Sequence, residues 1–174
     1  SDLGVVVKNR KELFVRLPGM NKVRRVASHV RKQSFQGTDW TMDDMQLLRL
    51  SDDYSAAIKS SDGPEIELEL SRKESSKMPY PKLEVVLLKT PFAIKSITYF
   101  DSDGKALKVQ TRSRLEKDAK GRWTHRQVVM KSLVSDHQTT TTVISEDLDT
   151  DIPNSTFTRS EEHTSELQSP CNLV

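Results

Sequence analysis

The sequence predicts a mainly β domain: a curved antiparallel sheet, or half-open barrel, carrying one short helix. Three features point there. Apolar and polar residues alternate in short runs, turn-forming residues separate successive runs, and one segment alone carries a clear helix start. At 174 residues the chain is long enough for one domain. With 34% hydrophobic and 30% charged residues, no stretch approaches the roughly 20 apolar residues that a membrane-spanning helix needs. Val, Ile, Leu and aromatic residues are still frequent enough to exclude a wholly disordered chain. The 27 basic and 25 acidic residues leave +2, which is no field for capturing nucleic acid. A lone Cys171 rules out an internal disulfide and a Cys-based zinc site.

Taken in order, Leu13, Val15 and Leu17 alternate ahead of Pro18-Gly19, and Val23 and Val26 flank Arg24-Arg25 in a second short run. Thr41 is placed to cap a helix beginning at Met42, and Asp43-Asp44 in its first turn suit the helix dipole. Met45, Leu47, Leu48 and Leu50 give it an apolar face, and it is expected to end before Ser51-Asp52-Asp53. Strands are predicted over 54–59 and 65–70, separated by Ser60-Ser61-Asp62-Gly63-Pro64. In the second of these Ile66, Leu68 and Leu70 face one way and Glu65, Glu67 and Glu69 the other. SRKESSKMPYP reads as a long hairpin loop, and the continuously apolar run 82–89 as a strand covered on both faces. Strands over 94–100 and 105–114 are joined by Asp101-Ser102-Asp103-Gly104, and Lys120-Gly121 turns the chain into 123–134. Four successive threonines give 138–146 a β-branched composition. Strands joined by short turns imply a meander, which excludes a doubly wound α/β enzyme.

No residue cluster nominates a catalytic centre. His29, His125 and His137 stand at no metal-ligand spacing. Asp39, Asp43 and Asp44 could hold a hard cation, but helix capping accounts for them better. There is no G-x-S-x-G elbow, H-E-x-x-H pair or phosphate loop, so a hydrolase would have to be of an unrecognised kind. The basic stretch from Lys22 to Arg25, with His29, Arg31 and Lys32, reads as a solvated face in preference to a lipid or nucleic-acid contact. The apolar sheet face needs a cover: a closed and filled barrel, further elements of the protein, or a hydrophobic guest.

The segment 159–174 (RSEEHTSELQSPCNLV) lacks any apolar period, and RSEEHTSELQS resembles translated sequencing-adapter DNA. One native domain is therefore expected over 1–158, followed by a non-native polar tail over 159–174 that includes Cys171. The start at Ser1 carries no initiator Met and is expected to be processed, trimmed or truncated.

LFVRLPGMNKVRR followed by SFQGTDWTMDDM resembles the outer-membrane lipoprotein-sorting, or LolA-like, family of periplasmic carriers. YFDSDGKALK, GRWTHRQVVM and DIPNSTFT match that family's pattern in the same order, so the resemblance runs from about Asp2 to Thr158. Its most specific part is Gly37 to Asp44, within which Asp39 to Asp44 is expected to order the lid-side turn and helix. The resemblance implies a half-open β-barrel with an apolar interior under lid helices. It also implies a periplasmic, non-catalytic monomer without a cofactor, binding lipid or lipoprotein acyl chains. An inner-membrane exporter and peripheral membrane contact come with that role, and nucleic acid does not. A signal peptide, a long first helix and the first strand are expected upstream of Ser1. Related folds serve as periplasmic sensors, so a sensor or scaffold is the alternative. Alternation places the expected acyl-chain lining at Leu13, Val15, Ile66, Leu68, Leu70, Val85, Leu87, Ile97, Tyr99, Val128 and Met130.

Overall fold

The strongest alternation in the sequence becomes the organising strand of a seven-stranded antiparallel meander. The computed structural model describes residues 4–8, 12–16, 23–27, 33–47, 49–147 and 149–151. β1 (Gly4–Lys8), β2 (Glu12–Arg16) and the two-residue β3 (Arg24–Arg25) form a small antiparallel sheet. Two helical segments follow, α1 (Met42–Gln46) and α2 (Leu50–Asp53). The large sheet comprises β4 (Tyr54–Ser60), β5 (Glu65–Arg72), β6 (Lys82–Lys89), β7 (Phe92–Phe100), β8 (Ala106–Lys117), β9 (Trp123–Ser132) and β10 (Gln138–Thr142). Its spatial order follows the sequence from β4 to β10, with both edge strands unjoined, so the sheet does not close on itself. Register shifts between β4 and β5, β6 and β7, and β7 and β8 bend it.

Two turns repeat one device. Asp101 Oδ1 accepts from the N–H groups of Asp103 and Lys105 at 2.9 and 2.8 Å, and Gly104 takes φ +76°. Asp118 Oδ1 accepts from Lys120 and Arg122, both at 2.9 Å, ahead of β9. The carboxylate closes each turn and the left-handed position favours glycine, in keeping with the turns read at Asp101–Gly104 and at Lys120-Gly121.

Register gives the large sheet two unlike faces. Leu70 pairs with Leu83 and Leu83 with Tyr99, while Leu68, Val85 and Ile97 form the next row. With Tyr54, Met78, Tyr80 and Met130 these residues make the main core, in which Leu83 and Met130 are fully buried. The opposite face is wet and laced with cross-strand pairs: Lys59–Glu84 at 3.0 Å, Lys82–Glu69 at 3.8 Å and Lys95–Glu65 at 2.6 Å. Exposed pairs of this kind add little stability. They do correct the expectation that 82–89 is covered on both faces. Only the Leu83/Val85 side is buried, while Val86 and Leu88 are half-buried beside the charged Lys82 and Glu84. A smaller core of Val26 and Met42, with Val15, Phe35 and Met45 packed against it, joins the small sheet to α1.

Other differences are local. The expected single helix is two, because the N–H of Leu47 turns back to the Asp44 carbonyl and leaves helical geometry. β1 had not been anticipated, and the last strand stops at Thr142. Met78 and Tyr80, in what reads as a polar loop, are buried at 8% and 6% exposure. Leu17, Pro18, Gly19, His29 and the tail from 152 onward lie outside the described residues.

Leu83→Ala should lose about 2–5 kcal/mol, because a fully buried leucine leaves a void behind it. Ile58→Ala, at a side chain 69% exposed, should stay within about 0.5 kcal/mol of the parent. Urea unfolding checks both, and equal losses would show that Leu83 is not packed in the core.

Candidate functional site

The site is built from a cover segment, residues 33–47 and 49–53, lying on the inner face of the large sheet. Its entry is a tight turn in which Phe35 N–H donates to the Trp40 carbonyl at 2.8 Å and Gly37 takes φ +76°. Asp39 is then fastened to the start of β10. Its N–H donates to Thr139 Oγ1 at 2.9 Å, and its Oδ2 accepts from Thr139 Oγ1 at 2.8 Å and faces His137 Nδ1 at 2.8 Å. Thr41 and Asp44 form a reciprocal capping box: Thr41 N–H donates to Asp44 Oδ2 at 2.7 Å, and Asp44 N–H donates to Thr41 Oγ1 at 3.2 Å. The stretch from Asp39 to Asp44 thus orders the turn and α1.

Asp44 does more than cap. Its Oδ1 accepts from Tyr80 Oη at 2.8 Å, and its Oδ2 lies 2.5 Å from Lys108 Nζ. Side-chain exposure is 0% for Asp44 and 10% for Lys108, so this is a buried ion pair. Lys108 Nζ also reaches the Asp39 carbonyl at 3.3 Å and lies 5.4 and 5.3 Å from the Tyr80 and Tyr99 ring centres. Those two rings meet edge to face at 4.9 Å. Such a pair earns little net stability against an apolar replacement, but loss of either partner strands a buried charge.

Beside this pair lies a cavity of about 400 Å³, within the range of small-molecule sites. The cover contributes Trp40, Asp44, Met45, Leu47 and Leu50. The sheet contributes Ile94, Ile97, Tyr99, Gln110 and Arg112. Register explains the last two: Gln110 pairs with Ile97 on one side and Met130 on the other, so β8 turns Lys108, Gln110 and Arg112 toward the apolar face. Arg112 Nε donates to Gln110 Oε1 at 2.8 Å, and burial draws the guanidinium below its ordinary pKa. The indole N–H of Trp40 is buried without a hydrogen-bond partner among the described residues.

Of the positions expected to line an acyl site, Ile97 and Tyr99 border this cavity. Leu70, Val85 and Met130 belong to the packed core, and Leu68 and Leu87 rest against it. Ile66 and Val128 are half-buried on the same sheet face. Val15 packs in the smaller core, and the side chain of Leu13 lies outside the described residues. Trp40, Asp44, Met45, Leu47, Leu50, Ile94, Gln110 and Arg112 were missed as lining. Counting by twos along β8 from its pairing with Ile97 would have found Gln110 and Arg112; no sequence signal marks Trp40.

All of the chain's tyrosines, Tyr54, Tyr80 and Tyr99, are buried in the main core. Burial pushes each phenol well above its ordinary range, and the nearby Asp44 carboxylate adds to the shift at Tyr80 and Tyr99. Below about pH 10 the phenols are protonated whether the chain is folded or not. Above it the unfolded chain releases protons first, so stability should fall as pH rises further. Absorbance at 295 nm should therefore rise together with unfolding; a simple titration near pH 10 in a chain that stays folded would contradict the placement. Lys108→Met should cost about 3–5 kcal/mol in urea unfolding. Adding Asp44→Asn should cost less than the two single losses together; simple additivity would show that the pair is not coupled.

A family model described as an uncharacterised protein matches residues 5–161. No curated protein matches the sequence. Among solved structures, the chain is similar to an outer-membrane lipoprotein-sorting protein domain from Vibrio parahaemolyticus. Identity is 18% and the TM-score 0.71, over 84% of this chain and 63% of that one. A DUF1329 family protein from Desulfovibrio piger is 25% identical with a TM-score of 0.66, over 74% of this chain and 55% of that one. A LolA superfamily protein from Nitrosomonas europaea is 16% identical with a TM-score of 0.61, over 90% of this chain and 70% of that one. The chain thus spans less than two thirds of the first two proteins, and it has the LolA-like fold expected from the sequence.

Proposed function

We propose that this chain, which belongs to the family whose model matches residues 5–161, is a non-catalytic periplasmic carrier of lipid or lipoprotein acyl chains. The observation that carries this reading is the cavity of about 400 Å³ between the cover segment and the inner sheet face. Leu47, Leu50, Ile94 and Ile97 give it apolar walls on both sides. Each buried methylene contributes about 0.8 kcal/mol, so an acyl chain of ordinary length gains on the order of 10 kcal/mol before ordering costs. That driving force is large and non-directional, which suits a carrier that must also release its load. Similarity to a lipoprotein-sorting domain and a LolA superfamily protein supports the same role. Among the described residues no helix is long and apolar enough to cross a membrane. The carrier would work as a monomer, meeting an inner-membrane exporter and the membrane surface only in passing.

Purified chain should release bound lipid on extraction, detectable by mass spectrometry. Leu50→Glu puts a charge against the cavity from an intermediate-exposure site and should lower that yield at least about tenfold. Circular dichroism should show the fold retained. Protein that is repeatedly empty and takes up no added acyl lipid would contradict the carrier, and a stable protein partner in its place would favour the sensor or scaffold.

A further inference from the structure

The cavity's two formal charges have unequal company. Asp44 is neutralised by Lys108 at 2.5 Å and further engaged by Tyr80 and Thr41. Arg112 has no carboxylate within ion-pair distance among the described residues. Its one hydrogen bond there, from Nε to Gln110 Oε1, leaves both Nη groups of the fork. A partly buried cation without a counter-charge is costly, and it is least costly where an anion completes it.

The neutral polar groups point the same way. The Gln110 carbonyl oxygen is occupied by Arg112, which leaves the amide's N–H side. Trp40 Nε1–H, also on the lining, is a buried donor without an acceptor among the described residues. The cavity therefore offers donors at its polar end, a spent acceptor in Asp44, and hydrocarbon elsewhere. A guest that satisfies it has an acceptor-only, negatively charged head and an apolar tail.

Resting on the carrier reading, we infer that the cavity selects a long-chain carboxylate, whose two oxygens take the two Nη groups of Arg112 while its chain lies between Leu47, Leu50, Ile94 and Ile97. Gln110 acts as a positioning residue: it holds Nε and so aims the fork into the cavity. The planar guanidinium matches a carboxylate in two parallel hydrogen bonds, a geometry that a neutral ester cannot return with equal strength.

Oleate and methyl oleate, titrated calorimetrically at submicellar concentration into the full chain, separate the head from the tail. Oleate should bind at least about tenfold tighter than methyl oleate. Arg112→Gln should bring oleate down to about the methyl oleate level, and Arg112→Lys should keep a preference for oleate. Equal binding of the two ligands by the parent, or a preference that survives Arg112→Gln, would overturn the inference and leave the carrier standing. Binding of neither ligand would overturn the carrier and this inference with it.

Discussion

The buried Asp44–Lys108 pair is the constraint on which the rest of the site depends. A five-residue helix has no stability of its own in water, and α1 exists because its third residue is held from outside. One carboxylate closes the capping box with Thr41, receives Tyr80 from the β5–β6 connection and meets Lys108 from the middle of the large sheet. Three distant stretches of chain converge there. Asp39, fastened to Thr139 across 100 residues of sequence, anchors the same cover to the far edge strand. The cover is thus located by polar contacts at two points, while the Leu47 and Leu50 side makes the softer apolar contact beside the cavity.

That division accounts for the cavity's position. Over β5, β6 and β7 the inner face is closed by Met78 and Tyr80, which fold back from their loop and complete a tight core. Over β8 the same face carries Lys108, Gln110 and Arg112, side chains that do not pack as hydrocarbon. Space remains where apolar packing ends and the polar strand begins. A guest with a hydrocarbon body and a charged end fits such a boundary better than a wholly apolar one, which links the carrier to its head-group preference.

Local chemistry made much of this legible in advance. Alternation from Glu65 to Leu70 gave the wet and dry faces of β5, Asp101 to Gly104 and Lys120-Gly121 marked the hairpins on either side of β8, and Thr41 marked the start of α1. The failures share a cause. Period 2 says which residues share a face but not which face is covered, so Lys108, Gln110 and Arg112 were not seen to point inward, and Val86 and Leu88 were expected to be buried. Met78 and Tyr80 were hidden in a stretch whose composition is that of a loop. The capping role of Thr41 and Asp44 was legible, but the long-range anchoring of Asp39 and Asp44 was not, because the partners Tyr80, Lys108 and Thr139 are remote in sequence and no local pattern encodes such contacts.

In the proposed carrier an acyl chain lies between the cover segment and the inner sheet face. A nitroxide-labelled stearate added to isotope-labelled protein tests it most directly, since broadening of methyl signals maps where the chain sits. Loss of signal is expected first from Met45, Leu47, Leu50, Ile94 and Ile97, with Val86 and Leu88 on the opposite face broadened less. Broadening centred on Val86 and Leu88, or none at a saturating concentration, would contradict it.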